Sequence, residues 1–221
     1  FGTSGNVFIQ GVDLESENLK MTGFEGDIVL SLGSKEDLAA GSVVADGVRY
    51  KDYELSHLFS DVRMTAEAVF FDRLLARAYH GRITAEGSYH FFPKERIEVR
   101  LDFRDVDTSM IKTVGSKWKG VAQGRAQYAG TVQRIENLQI ELQSPSSEME
   151  RTLFKYLMGD VGGNLAFLPF SKALESIDFI HLDNFHGTVH NLDEESVSVK
   201  LNLDSRQLNL RLNPDITIRL R

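Results

Sequence analysis

The sequence predicts a mainly β protein built on one large, curved, mostly antiparallel sheet. The expected arrangement is a groove or folded taco, with one amphipathic helix and one or two short helical turns. Three stretches toward the C-terminal end carry this expectation. In 196–204 the apolar positions are Val197, Val199, Leu201 and Leu203; in 207–213 they are Leu208, Leu210 and Leu212; in 215–221 they are Ile216, Ile218 and Leu220. A period of two sends one set of side chains to one sheet face and the alternate set to the other. Such a sheet has one greasy face and one wet face.

Earlier segments repeat the pattern. The first is 27–32, with Ile28, Leu30 and Leu32. In 81–91 the inward positions are small or aromatic (Ile83, Ala85, Gly87, Tyr89), and glycine inside a strand marks a bend or a close approach. Next comes 96–105, where Ile97, Val99, Leu101 and Phe103 alternate with charges. A short helix is expected after Val106, capped by Asp107 or Thr108 and running over 110–114. The strand at 120–132 again has small inward residues (Ala122, Gly124, Ala126), and 137–143 places Leu138, Ile140 and Leu142 on one face. Eight strands result.

Two segments break the alternation. Ser147 and Glu150 have capping-box spacing, Gly159 supplies a stop, and Met149, Leu153, Phe154, Leu157 and Met158 form an apolar helical stripe over 148–158. A further helical turn is expected over 170–176. A recurring Gly-x-(Ile/Val), at Gly26, Gly41, Gly81, Gly130 and Gly187, reads as turn glycines leading into strands. Parity places a turn between Leu203 and Leu208, and favours one long edge strand bent at Pro214. No linker composition marks a boundary, so residues 1–221 are expected to form a single domain.

The formal net charge of −7 argues against nucleic acid, which needs clustered Lys and Arg. The absence of cysteine excludes disulfides, thiolate metal ligands and a cysteine nucleophile. No apolar run reaches the roughly 18 residues of a transmembrane helix. The chain begins at Phe1 without a signal-peptide pattern and reads as the C-terminal part of a longer protein.

Candidates for chemistry are weak. Asp178, His181, Asp183, His186 and His190 form the densest polar cluster. On an extended strand, however, His186 and His190 stand about 13 Å apart, too far to share an ion. Polar loop residues are the simpler reading. The run Tyr89-His90-Phe91-Phe92-Pro93 suits the end of a sheet core better than a binding surface. The interleaved charges of Arg96, Glu98, Arg100 and Asp102 read as a solvated face with cross-strand pairs. Arg211, Arg219 and Arg221 read as guards of an edge strand. No phosphate loop, nucleophile elbow, His-Glu-x-x-His or dinucleotide fingerprint is present, so no catalytic residue, metal ligand or cofactor is expected.

The layout resembles the C-terminal region of the AsmA-like proteins of the Gram-negative envelope, a family related to bridge-like lipid transporters. The resemblance lies in the Phe103-Arg104-Asp105-Val106-Asp107-Thr108 passage from strand to short helix, the small-residue strand 120–132, and Leu138 to Leu142. It continues in the amphipathic helix, Phe185-His186-Gly187-Thr188-Val189, and the earlier Ala78-Tyr79-His80-Gly81-Arg82-Ile83. It implies a periplasmic β-groove, anchored to the inner membrane through a segment outside this chain, that moves phospholipid or aids outer-membrane assembly.

The expected function is therefore to hold phospholipid acyl chains in an apolar groove. Its lining would come from Val99, Leu101 and Phe103, from Leu138 and Ile140, from Val199 and Leu201, and from Leu210 and Leu212. Met149, Leu153 and Leu157 would face it from the helix. The alternative is a non-enzymatic envelope-assembly module that pairs with a partner through its terminal edge strand.

Overall fold

The computed structural model describes residues 3–32, 37–131, 133–157, 174 and 176–219. The protein is mainly β, an antiparallel sheet of fifteen strands that does not close. The strands are β1 (Thr3–Glu15), β2 (Leu19–Leu32), β3 (Ala39–Tyr50), β4 (Tyr53–Met64), β5 (Ala68–Ala78), β6 (Gly81–His90), β7 (Arg96–Asp107), β8 (Trp118–Gly130) and β9 (Ile135–Ser144). After them come β10 (Ser147–Glu150), the helix α1 (Arg151–Leu157), β11 (Phe179–Leu182), β12 (Asn184–Asn191), β13 (Ser196–Ser205), β14 (Leu210–Leu212) and β15 (Asp215–Arg219). Strands β1 to β9 follow one another in space, then β12, β13 and β14; β10 pairs with β8 and β11, and β15 pairs with β13. The strands divide between two compact units, Phe1–Arg104 with Arg125–Asn137, and Asp105–Gly124 with Leu138–Arg221.

The first unit is a meander of long hairpins. Seven strands stand where the alternation of 27–32, 81–91 and 96–105 indicates three. Unusual turn residues hide some of the hairpins. Tyr79 and His80 both take positive φ between the paired Ala78 and Gly81, the backbone of a two-residue hairpin turn that usually recruits Asn or Gly. Lys51 and Asp52 turn the chain between the paired Tyr50 and Tyr53, again with Lys51 at positive φ. Bulges between Ile9 and Val12 and between Phe71 and Leu74 shift the apolar parity within β1 and β5.

The expected role of glycine needs correction. Only Gly81 starts a strand; Gly26, Gly41 and Gly187 lie inside strands, and Gly130 ends one. At some positions the reason for glycine is close approach. A Cβ on Gly41 would collide with the backbone at Asp27 and Ile28, and one on Gly87 with the Phe71 ring and the Glu98 carbonyl.

The second unit has the denser core. Ile180, Leu182, Met149, Phe154 and Leu203 are almost wholly buried. The 148–158 helix expectation is corrected at its start. Ser147–Glu150 is strand β10, held between β8 and β11, with Ser147 and Met149 buried and Glu148 exposed. Two neighbouring strands supply more backbone partners than one helical turn could, and the alternation of Ser147 and Met149 fits that setting. Helix α1 begins at Arg151, and the Glu150 carboxylate accepts from the Thr152 amide at 3.3 Å. Hydrogen bonding from Thr152 holds the Glu150 carboxyl below its usual range. Met158, Gly159 and most of the expected 170–176 turn lie outside the described residues.

Asp107 does cap a turn, but a shorter one than 110–114. It accepts from the Ser109 amide at the head of a 3-10 turn over Thr108–Met110. Thr108 is buried, and its hydroxyl lies 3.1 Å from both the Trp118 and Gly120 carbonyls. Removing that donor while keeping the shape, in Thr108→Val, is expected to cost about 1–3 kcal/mol in urea unfolding. An unchanged midpoint would mean that the hydroxyl bonds contribute nothing net.

The C-terminal parity reading holds. A turn separates Ser205 from Leu210, and one register runs through both final segments, from Ser205 opposite Leu210 to Ser196 opposite Arg219. Pro214 interrupts the edge without shifting it, and still accepts from the Leu201 amide at 3.0 Å. The terminal edge is thus two strands in one register, β14 and β15, with Pro214 between them.

Candidate functional site

Direct pairs across an antiparallel sheet share a face, so the register shows what each face of the first unit presents. One row runs Val7, Ile28, Gly41, Val62 and Phe71 across β1 to β5, and continues through Gly87 to Val99 on β7. The next row begins Ile9, Gly26, Val43, Ser60 and Leu74, and ends through Ala85 on Leu101. Farther along β5 to β7, Ala76, Ile83 and Phe103 align. A Cβ placed on Gly26 would sit within 4 Å of Val43, Ile9 and Ile28, so these side chains do converge. The face is apolar across seven strands and carries no charge in these rows.

The opposite face is charged. Arg73 pairs with Asp61 at 2.9 Å and lies 5.0 Å from the Phe59 ring centre. Arg63 reaches Asp37 and Asp72, both at 3.5 Å, and stacks on Phe70. The Asp72 hydrogen bond raises the Arg63 pKa above its already high ordinary value, so the guanidinium stays charged. Arg100 meets Glu86 directly across the strands at 3.3 Å, and Arg96 meets Glu98 and Glu136. The expected solvated face with cross-strand pairing is present.

The aromatic run at the end of β6 does not plug a core. Phe92 is 62% exposed, and Tyr89 and Phe91 are also exposed. Tyr89 and His90 end β6, opposite Ile97 and Arg96, and Phe91 and Phe92 follow beyond that last pair. The Glu95 carboxylate, near enough to accept from the Tyr89 hydroxyl, raises that phenol's pKa.

The second unit holds a different apolar feature, a cavity of about 250 Å³. Its floor is the apolar face of β9, β12 and β13: Ile140, Leu142, Val189, Val199 and Leu201, with Gly187 among them. Met149, Leu153, Phe185, Trp118 and Val114 complete the wall, and no polar surface lines it. Trp118 stands opposite Met149 in the β8–β10 pairing and packs on Phe185, ring centres 4.9 Å apart.

The expected lining residues thus fall into two groups. Val99, Leu101 and Phe103 lie on the apolar face of the first unit. Ile140, Met149, Leu153, Val199 and Leu201 meet around the cavity of the second. Leu138 lies farther along β9, its amide donating to Asn191 Oδ1 at 2.9 Å. Leu210 and Leu212 sit on β14 opposite Ser205 and Leu203, away from the cavity. The Leu157 side chain is outside the described set. Sequence reading overlooked Val43, Val62, Phe71 and Leu74 on the face, and Trp118, Phe185 and Val189 at the cavity. Their signal is positional and emerges only once the strand pairing is known.

The histidine–carboxylate cluster is dispersed. Asp183 accepts from the Arg206 amide at 2.7 Å, His186 lies 3.3 Å from Glu141, and His181 and His190 are exposed. Asp183 also meets the Arg206 guanidinium, Nε 3.7 Å from Oδ1. Among the described residues no group of three or more His, Asp or Glu is placed to hold a metal ion. At the terminal edge Arg211 pairs with Asp204 at 3.3 Å, while Arg221 is not described. No protein-family model, no curated protein and no solved structure matches the chain.

Proposed function

We propose that the protein is a lipid-binding and transfer module of the bacterial envelope that shelters phospholipid acyl chains and performs no reaction. The observation that carries the reading is the apolar face of β1 to β7, uncharged in its central rows and backed by a face of ion pairs. Apolar areas this broad on one side of a sheet mark an interaction surface. Removing hydrocarbon from water against it contributes about 25 cal/mol per Å². Interspersed small residues (Gly26, Gly41, Ala85, Gly87) keep the surface low, and a lining of uniform chemistry offers a sliding chain few strong stops. The resemblance in layout to AsmA-like proteins supports the same reading, and with it a periplasmic location. The test is uptake. The protein, mixed with phosphatidylethanolamine vesicles and re-isolated, is expected to carry lipid; re-isolation free of lipid would overturn the reading.

A second reading, edge-strand pairing, is favoured by one observation, and it concerns β1 rather than the terminal strand. The β14–β15 edge is guarded by Pro214, Arg211 and a Lys200–Asp215 pair. By contrast β1 pairs only with β2 among the described residues and has no charge from Thr3 to Val12. If β1 joins a strand of a second copy, Asn6→Lys/Gln10→Lys should sediment as monomer where the wild type associates, with lipid uptake unchanged. Identical sedimentation of the two would count against pairing.

A further inference from the structure

We infer that the exposed aromatic loop at the end of β6, with Phe91 and Phe92 foremost, docks the protein on a phospholipid bilayer and opens the apolar face of the first unit to it. The inference rests on the reading of the protein as an acyl-chain carrier and adds the port by which chains enter. Two independent observations point to a bilayer. The first is continuity. Two residues farther along each strand than the row from Val7 to Val99, the register aligns Leu30, Ala39, Met64, Val69, Tyr89 and Ile97 across β2 to β7. A step of two keeps them on the same face. Leu30 is 38% exposed, and Met64 and Tyr89 are each 41% exposed. The apolar face therefore runs out, still exposed, to the end of the sheet where the aromatic loop stands.

The second observation is the build of the loop. Phe91, Phe92, Pro93, Lys94 and Glu95 are all exposed, and the Phe91 ring lies against Tyr89, ring centres 6.5 Å apart. Exposed aromatic side chains gathered in this way mark a surface that enters an apolar phase. Their backbone is already engaged. The Phe91 and Phe92 amides both donate to the Glu67 carbonyl, at 2.9 and 3.3 Å. The turn that carries Glu67 is itself fixed, since the Thr65 hydroxyl accepts from the Glu67 and Ala68 amides. These amides are thus closed to a partner strand, and the loop offers rings instead. Because it is held in place, little ordering is left to do on insertion. Tyr89 suits the boundary between hydrocarbon and water, with an apolar ring and a hydroxyl that reaches Glu95 at 3.4 Å. Lys94 and Glu95 balance in charge, so the attraction is to hydrocarbon and not to the charge of a headgroup.

The test is flotation of the full chain with phosphatidylcholine vesicles. The wild type is expected to float with them, and to do so equally at about 1 M salt, where surface charge is screened. Phe91→Ser/Phe92→Ser should bind at least about tenfold more weakly, the worth of one buried phenylalanine or more. Tyr50→Ser/Tyr53→Ser removes two equally exposed rings at the other end of β3 and β4 and should float as the wild type does. All four positions are exposed, so urea midpoints should stay together. Filling with lipid separates the port from the carrier. The loop variant should fill about tenfold more slowly from vesicles, yet reach the wild-type level when phospholipid is supplied from detergent micelles. Equal flotation of loop variant and wild type, or a wild type that does not float, would overturn the docking loop while leaving the face of β1 to β7 standing. A loop variant that cannot fill from micelles would overturn its role as a port and make it part of the binding face. A wild type that floats through this loop but takes up no lipid by either route would overturn the carrier reading instead.

Discussion

Leu203→Ala should lower the stability of the second unit by about 2–5 kcal/mol, the range for deleting a fully buried leucine. Leu203 is 1% exposed and sits on β13, with Phe185 directly opposite on β12 and Leu212 on β14. It is the central member of an apolar row that three strands contribute, so its loss leaves a void that no single side chain can close. Domains of this size are stabilised by only about 5–15 kcal/mol in total, so the loss should be plain in a urea midpoint. The comparison is Val121→Ala, on an exposed position of β8, expected to stay within about 0.5 kcal/mol of wild type. Similar midpoints for both variants would contradict the placement of the core.

Charge on the apolar face of the first unit should abolish lipid uptake without unfolding the protein. Ile28→Glu and Val62→Glu place carboxylates on either side of Gly41 in the row from Val7 to Val99. Both positions are half-exposed, so a glutamate there keeps contact with water in the free protein and the fold survives. Against bound hydrocarbon the same carboxylate would be desolvated without a partner, which is costly. The double variant should therefore retain less than a tenth of the wild-type lipid. Asn6→Glu adds a similar charge to the other face of β1 and should retain all of it. Equal retention by the two variants would contradict the assignment of the face. Leu201→Glu would be a poor substitute, since Leu201 is 8% exposed and a buried unpaired charge would unfold the second unit.

The sequence made the fold class legible because β7, β9 and β13 alternate in unshifted register, so their apolar faces can be counted off directly. It failed in β1, β3, β4 and β5 for physical reasons. Glycine, serine and alanine occupy inward positions, as at Gly41, Ser60 and Ala76, and bulges reverse the parity partway along β1, β4 and β5. Tyr79-His80 closes a hairpin with residues that carry no turn signature. The capping-box pattern at Ser147 misled because strand pairing with β8 and β11 outweighed a local preference. The site was legible in part. Val199 and Leu201 announce a buried face from their spacing alone, whereas the meeting of Trp118 with Met149 and Phe185 depends on strand order that no local pattern encodes.

The central claim, that this protein carries acyl chains, is tested most directly by mass spectrometry of the protein purified from a bacterial host. The intact protein is weighed under native conditions, and its organic extract is then analysed. The account predicts stoichiometric phospholipid that survives purification, and refilling from added vesicles after delipidation. A protein that is bare as purified and stays bare with vesicles would contradict it.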